Sequence, residues 1–474
     1  MDAILCDELL QEIFHRLPPP SSSAVSLVSK RWLRLYRSSK TSLSLRVSPL
    51  NSPIPSLSPF LSHYPLLSSL SLTTTTVSVG DTSTLSDHLL LSVSSSCPNL
   101  RNLRFLIGPV SFFSLLSLST SCPRLTSLTI TLSRPLSFHW LVSFLSLKAL
   151  SVVFTGVSGE LDSNELNTDQ EHSDATVGSF DAELPLETLS LSGTRPGDYS
   201  LNWLWRNCKN LRRLQLRSCE GIGDNASFSS FVKCLKGLQE VELRTCRTIV
   251  GRVLLKLAEN CISLNSLLVY DGGSNEALLQ FITLSRCNLR KLDLRLPLDL
   301  NNNHLLAMAE NFRGLSSLRL QSCCLITGEG LKTLGVAMSN GLEELGLMNC
   351  DVVEREPGFL TTLGQNLRRL RKLDLSYNEM LVDKEFISML VSSNGLCELK
   401  LRGCKGLTNV ALVSMSKNCK HLESVDILDC CGIEAEAVEL FVLNSPQLRY
   451  IQVEKSKISS VARMWASNKF IEVN

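Results

Sequence analysis

The sequence predicts an α/β solenoid, a horseshoe of stacked units with parallel strands on the concave face and helices on the convex face. Two observations predict this fold class. A loosely kept frame, C-x-x-x-L-x-x-L-x-L-x-x-C, recurs along the chain, and a segment with helical spacing of apolar residues follows most copies. A single unit cannot bury its own leucines, so the units must stack into one continuous core.

The period of the frame is constant over most of the chain. Its first aliphatic position falls at Leu100, Leu125, Leu147, Leu186, Leu211, Leu238, Leu264, Leu289, Leu315, Leu342, Leu370, Leu396, Leu422 and Leu448. Neighbouring positions are 25 to 28 residues apart, except for one step of 22 and one of 39. This period lies in the leucine-rich-repeat range and predicts about fifteen repeats over residues 46–474.

Each repeat is predicted to contribute one strand and one helix. In L-x-L the alternation has a period of two, so Leu214 and Leu216 point inward while Gln215 and Arg217 point outward. The segment GRVLLKLAENC, from Gly251, has helical spacing and completes its unit on the opposite side. Each fully buried leucine adds roughly 1.5–3 kcal/mol to the stability of the stack.

The cysteines are predicted to be structural. Six of them lie three residues after the last inward leucine or isoleucine of a strand: Cys219, Cys246, Cys323, Cys350, Cys404 and Cys430. No C-x-x-C occurs, so the spacing does not favour a zinc site, and a small apolar side chain fits the turn. Unpaired thiols at regular positions indicate a reducing compartment.

Composition and motifs argue against several function classes. The 47 Lys and Arg residues are balanced by 45 Asp and Glu residues, which does not favour nucleic-acid binding. The start, MDAILCDELL, is not typical of a signal peptide, and the most apolar window, from Leu136, fits the repeat frame rather than a membrane span. The usual nucleotide, metalloprotease and nucleophile-elbow motifs do not occur, so no catalysis, cofactor or metal is predicted.

Two segments depart from the repeat pattern. Residues 156–185 contain eight acidic residues and no Lys or Arg, which predicts a mobile insertion. The insertion is either a tolerated loop or a regulatory one. Residues 454–474 are predicted to cap the last repeat.

The first 45 residues follow a helical pattern rather than the repeat period. Leu5, Leu9 and Ile13 belong to one apolar stripe that ends before Pro18, and Val28, Trp32 and Leu35 belong to a second. The segment resembles an F-box through Asp7-Glu8-Leu9-Leu10, Ile13-Phe14, Leu17-Pro18, Ser26-Leu27-Val28 and Lys30-Arg31-Trp32. Leu5-Cys6 stands where the family usually has Leu-Pro. With the repeats, the chain resembles F-box/leucine-rich-repeat proteins of the cysteine-containing subclass, and the phrase SLVSKRWLRL is similar to plant members.

This resemblance implies a non-catalytic substrate receptor of a cullin-RING ubiquitin ligase in the nucleus or cytoplasm. The F-box would bind a Skp-type adaptor, and through it a cullin and a RING subunit. The residues expected at that surface are Leu5, Leu9, Leu10, Ile13, Leu17, Pro18, Val28 and Trp32. Two alternatives stay open, namely a hormone co-receptor of the same ligase class and a repeat scaffold without a ligase.

The target protein is predicted to bind the outward side chains of the strands. The position after the second leucine includes Arg217, Arg244, Tyr270, Arg295, Met348 and Arg402. Arginine suits paired hydrogen bonds to carboxylate or phosphate, and tyrosine and methionine are typical interface anchors. The sequence therefore predicts a target with an acidic or phosphorylated segment.

Overall fold

The structure, a computed structural model, describes residues 5–17, 24–47, 57–74, 83–156, 182–272, 275–297 and 299–473. Pro18 and nearly all of the predicted acidic insertion at 156–185 lie outside these residues. The chain divides into two compact units. Unit 1 is Met1–Leu214 with Gly221–Cys234, and unit 2 is Gln215–Glu220 with Leu235–Asn474.

Unit 1 begins with two helices, α1 (Asp7–Arg16) and α2 (Lys30–Ser39), and continues with alternating strands and helices. Its strands are β1 (Ser42–Val47), β2 (Ser69–Thr74), β3 (Asn102–Pro109), β4 (Ser127–Ser133), β5 (Ala149–Thr155) and β6 (Thr188–Ser192). Its further helices are α3 (Leu57–Leu61), α4 (Ser83–Ser96), α5 (Phe112–Ser121), α6 (Leu201–Asn207) and α7 (Asn225–Cys234), with a 3-10 turn at His139–Ser143. From β1 to β6, each strand pairs in parallel with the next.

Unit 2 repeats the same alternation. Strand β7 (Arg213–Arg217) has its last three residues in this unit, and β8 (Glu240–Arg244), β9 (Ser266–Tyr270), β10 (Lys291–Arg295), β11 (Ser317–Gln321), β12 (Glu344–Met348), β13 (Lys372–Asp374), β14 (Glu398–Lys400), β15 (Ser424–Asp426), β16 (Tyr450–Gln452) and β17 (Glu472–Val473) follow. From β8 to β17 these strands pair in parallel in chain order.

The helices of unit 2 lie between consecutive strands. They are α8 (Val250–Asn260), α9 (Asn275–Leu284), α10 (Asn302–Asn311), α11 (Gly328–Ala337), α12 (Asp351–Arg355), α13 (Phe359–Asn366), α14 (Asp383–Ser392), α15 (Asn409–Asn418), α16 (Ala435–Asn444) and α17 (Ser460–Asn468). The parallel strands and intervening helices confirm an α/β solenoid of the leucine-rich-repeat type. Helix α17 and β17 fall within the segment that the sequence predicts to be a cap.

Leucines of the repeat frame form the core of both units. From β2 to β16 the inward pair of each strand is buried, as Leu292 with Leu294 and Leu345 with Leu347 illustrate, whereas the pair of β1 is half-buried. The helices bury one face against them, and α8 does so through Leu254, Leu257 and neighbouring residues. Because the strands are in register, equivalent leucines of successive repeats stack on one another.

A turn of one shape follows most of the unit 2 strands. Its first residue has a positive φ in Ser218, Thr245, Asp271, Leu296, Ser322, Asn349, Tyr377, Gly403 and Asp429. The left-handed conformation is costly for a bulky residue such as Tyr377, so its recurrence indicates that the packing of each turn requires it. The turn reverses the chain toward the helix and places the next residue inside.

That inside position is occupied by the predicted cysteines, all six of which are buried. The thiols of four of them, Cys246, Cys350, Cys404 and Cys430, donate to the carbonyl oxygen of the last strand leucine in the preceding repeat, for example Cys404 Sγ to Leu375 at 3.1 Å and Cys430 Sγ to Leu401 at 3.0 Å. In the repeat of β13 the position is Asn378, whose amide donates to Leu347 at 2.8 Å. The cysteines thus link neighbouring repeats and also fill space.

No helix among the described residues is both long and apolar enough to cross a bilayer.

Candidate interaction surfaces

Helices α1 and α2 form a small module with its own core. Leu10, Phe14, Val25 and Leu35 are buried together, and Trp32 packs beside them. The ring centroids of Phe14 and Trp32 are 5.3 Å apart. Helix α2 begins after Ser29, whose side chain accepts the backbone N–H of Trp32 at 3.2 Å.

An ion pair joins the two helices of the module. The Arg31 guanidinium donates to Asp7 through Nε at 2.9 Å and through Nη2 at 2.6 Å, and Nη2 also donates to the Leu5 carbonyl at 2.8 Å. This arrangement holds the start of α1 against α2. The sequence contains both residues within the resembling motif, but it offers no sign that they pair.

The module leaves an apolar surface exposed to solvent. Leu9 is 54% exposed, Ile13 43%, Leu27 86% and Val28 59%. The apolar stripe that the sequence predicts on α1 therefore consists of a buried part and an exposed part. Leu10 and Phe14 face inward, whereas Leu9 and Ile13, each one residue earlier, face outward.

The predicted adaptor-binding residues accordingly occupy different environments. Leu9, Ile13 and Val28 are on the exposed surface, Leu10 is 1% exposed, and Leu5, Leu17 and Trp32 are half-buried. Leu27, which the prediction omitted, is the most exposed large apolar residue in the described part of the module. Its neighbour Val28 was chosen on the same motif, so helix periodicity alone did not distinguish the two.

In unit 2 the outward side chains of the strands form a second surface, which we call the strand face. Parallel register places Arg244 beside Tyr270, and Tyr270 beside Arg295. The structure thus aligns these predicted target-binding residues on neighbouring strands. Met348 is farther along the same column and is only 8% exposed.

Carboxylates on the strand face already pair with these arginines. Glu242 accepts from Arg217 Nη2 at 3.1 Å and from Arg244 Nε. Arg295 donates to Asp293 through two nitrogens, at 2.9 and 2.8 Å. The hydrogen bonds to Asp293 raise the pKa of Arg295, which therefore stays charged.

The same pairing occurs at the far end of the column. Arg402 donates to Asp426 through Nε at 3.2 Å. The acids Glu242, Asp293 and Asp426 each lie between the two inward aliphatic residues of their strand. The sequence prediction considered only the column after the second leucine and so missed them.

No group of three or more His, Cys, Asp and Glu side chains in the described part of the chain is arranged to hold a metal ion.

Comparison with known proteins identifies the first module. Residues 3–40 match the model of the F-box domain. A Caenorhabditis elegans protein named "Putative RNA-binding protein EEED8.10" is 25% identical over 264 residues, which is 54% of this chain and 31% of that protein. The chain thus spans about a third of the length of this relative.

Two solved structures are similar over most of the chain. The yeast Rad7 and Elc1 complex aligns with a TM-score of 0.47 and 15% identity, covering 98% of this chain and 92% of that one. An internalin from Listeria monocytogenes aligns with a TM-score of 0.34 and 14% identity, covering 88% and 93%. Both scores are too low to carry an argument, so the fold rests on the strands, helices and turns described above. The chain combines an F-box domain with leucine-rich repeats.

Proposed function

We propose that this protein is the substrate-recognition subunit of an SCF-type ubiquitin ligase. The observation that carries the proposal is the exposed apolar surface of Leu9, Ile13, Leu27 and Val28 on the F-box domain. A module of two helices that buries Leu10 and Phe14 yet leaves four aliphatic residues in water is suited to a partner surface. A Skp-type adaptor is the partner that an F-box implies.

In this proposal the chain contributes binding rather than chemistry. The F-box attaches it to the adaptor and thus to a cullin and a RING subunit, and the repeats hold the target. Ubiquitin transfer then speeds up because the target lysines stay near the charged conjugating enzyme at a high effective concentration. Target ubiquitination and degradation would follow.

The strand face of unit 2 is the proposed target site. Arg217 and Arg244 share the single carboxylate of Glu242, so this cluster keeps one net positive charge. The side chain of Arg217 is about half exposed, so that it can reach an acidic or phosphorylated segment. Tyr270, half-buried on the adjacent strand, offers an apolar contact beside them.

The pairing with Glu242 also limits what this site can bind. A target carboxylate must compete with Glu242 for Arg217, and binding by charge alone would be weak. We therefore expect the target to combine an acidic group with an apolar side chain that packs on Tyr270.

The proposal is tested by co-purification of the adaptor. Changing Leu9→Asp together with Ile13→Asp places two charges on the exposed surface without altering the buried Leu10 and Phe14. Adaptor recovery should fall at least tenfold. The matched control is Leu306→Asp with Val336→Asp, two aliphatic residues that are similarly exposed on α10 and α11.

Normal adaptor recovery with the F-box variant would contradict the proposal and favour a repeat scaffold without a ligase. If the adaptor binds but the target is captured only when a small hormone is added, the hormone co-receptor alternative holds instead. The name of the nematode relative does not assign RNA binding to this chain, because the aligned part is less than a third of that protein.

A further inference from the structure

Six arginines come together at the edge of unit 2 where strands β10 to β13 begin. Parallel strands start at one edge of their sheet, so the loops that lead into them are neighbours although they are far apart in sequence. We call these residues the basic edge: Arg286, Arg290, Arg313, Arg368, Arg369 and Arg371, all exposed. Glu343 is the one acidic residue in the loops 285–290, 312–316, 338–343 and 367–371.

The arginines of the basic edge form no salt bridge within the described part of the chain, although Glu343 and Glu423 line a hollow together with Arg371. Arg369 donates to the Asn340 carbonyl at 2.9 Å, and Arg371 donates to Cys397 Sγ at 3.5 Å. This is the reverse of the strand face, where Arg217, Arg244 and Arg295 each have a carboxylate partner.

The partial charges of the helix ends explain only some of the arginines in the basic edge. Each loop follows a helix C-terminus, whose partial negative charge favours a nearby cation. That effect explains one arginine per loop, but it falls off within a turn. It does not explain three arginines at 368, 369 and 371 beside those of the neighbouring loops, because like charges in such a cluster repel one another.

The surface beside the basic edge is concave. One hollow of about 510 Å³ is lined by Arg368, Arg369 and Arg371 together with His421 on a later loop. A second hollow of about 500 Å³ adjoins it, and Arg371 and Glu343 line both. Three of the six arginines, Arg368, Arg369 and Arg371, therefore line a hollow rather than a flat surface, and the other three lie on neighbouring loops of the same edge.

We propose that the basic edge binds an acidic segment of a partner protein, a run of about five Asp and Glu residues. Strands β10 to β13 span three inter-strand steps, or about 14 Å, which an extended peptide of four or five residues covers. Arginine forks are suited to carboxylates. This inference is independent of the proposed ligase function, because it involves neither the F-box nor the strand face.

Two features favour a peptide over a nucleic acid. Glu343 and Glu423 line both hollows, and Glu344 and Glu398 line the second, so a backbone with a phosphate at every nucleotide would meet these carboxylates. A peptide can place uncharged residues there. The aromatic residue on these four loops, Phe312, is buried and cannot stack on a base.

The test measures binding of a fluorescein-labelled peptide of ten alternating Glu and Asp residues to the full chain by anisotropy at 0.15 M salt. The variant is Arg286→Gln, Arg313→Gln and Arg368→Gln, three exposed residues without polar partners in the described structure. We expect about tenfold weaker binding, since each exposed charge pair contributes a small factor. The control, Lys332→Gln, Lys384→Gln and Lys417→Gln, removes the same charge from the helices of unit 2 and should change binding less than twofold.

Thermal unfolding of both variants shows whether the arginines also stabilise the C-terminal ends of the neighbouring helices. Unchanged peptide affinity in the arginine variant overturns the proposal, whether or not the variant is less stable. Absence of peptide binding to the parent protein overturns it as well. Tighter binding of a ten-nucleotide single-stranded RNA, lost in the arginine variant but not in the lysine variant, would assign the edge to nucleic acid instead.

Discussion

The F-box domain and the repeats use the same aliphatic residues for opposite purposes. In the repeats the frame leucines are sealed inside, and Leu320 is 0% exposed. In the F-box domain Leu27 is 86% exposed and Leu9 and Ile13 are about half exposed. The repeats obtain stability from burial between neighbours, whereas a two-helix module has too little interior to bury its leucines. We propose that exposed leucine in the first region serves binding, whereas buried leucine in the second stabilises the fold.

The largest expected effect separates these two roles directly. Leu320→Ala should reduce the free energy of unfolding by about 2–5 kcal/mol, because a cavity remains between packed repeats. Leu27→Ala should change it by less than about 0.5 kcal/mol, since its side chain is already in water. Urea unfolding of both variants checks the difference. Equal losses of stability would mean that Leu27 is buried in the folded protein.

A smaller effect is expected from Asn378, which occupies the turn position that cysteine occupies in the neighbouring repeats. Asn378 donates to Leu347 and Leu375 at 2.8 and 2.7 Å and accepts from the Cys350 backbone N–H at 2.9 Å. Asn378→Ala removes these three hydrogen bonds from a buried site, although the Leu375 carbonyl still accepts from Cys404 Sγ, and should reduce the free energy of unfolding by about 2–3 kcal/mol. Asn378→Cys should recover part of the loss, because cysteine occupies this position in the neighbouring repeats. Urea unfolding of the two variants gives the comparison, and an Ala variant as stable as the parent would contradict it.

The smallest effect is a dependence of stability on pH that arises from the buried cysteines of the repeats. Burial raises the pKa of Cys97 to about 11 and of Cys430 to about 12, from an ordinary value near 9. Because the pKa of these thiols is higher in the folded than in the unfolded state, their contribution to the free energy of unfolding is fully present below pH 9. It is lost as the pH rises through 11 to 12. Stability should therefore fall above pH 9, and less steeply in Cys430→Ala. The urea midpoint between pH 7 and 11.5 measures this, and identical slopes would show that Cys430 does not contribute. Cys6 of the F-box domain is exposed and serves as the control position.

Much of the repeat architecture could be predicted because it follows local patterns. L-x-L places Leu214 and Leu216 inside whatever the neighbouring repeat contains, and the interval to the next frame sets the helix. The buried cysteines followed from the same offset. In the F-box domain the apolar stripe was also predictable, but its division between Leu9 and Leu10 depends on where α2 packs against α1.

The strand face shows why a one-dimensional pattern falls short. Arg217 and Glu242 are 25 residues apart, and they meet because their strands are neighbours in the sheet. The sequence identified the arginines as binding residues on their chemistry alone. It could not indicate that the structure already supplies them with carboxylates.

By itself, then, the sequence determined the repeat period, the inward leucines, the turn cysteines and the presence of an F-box. These depend on residues close together in the chain, whose spacing is set by strand and helix geometry. Only the tertiary structure decided which arginines are neutralised and which stand unpaired. Charge–charge interactions act through space, and parallel stacking brings Arg290, Arg313 and Arg371 to one edge although each belongs to a different repeat.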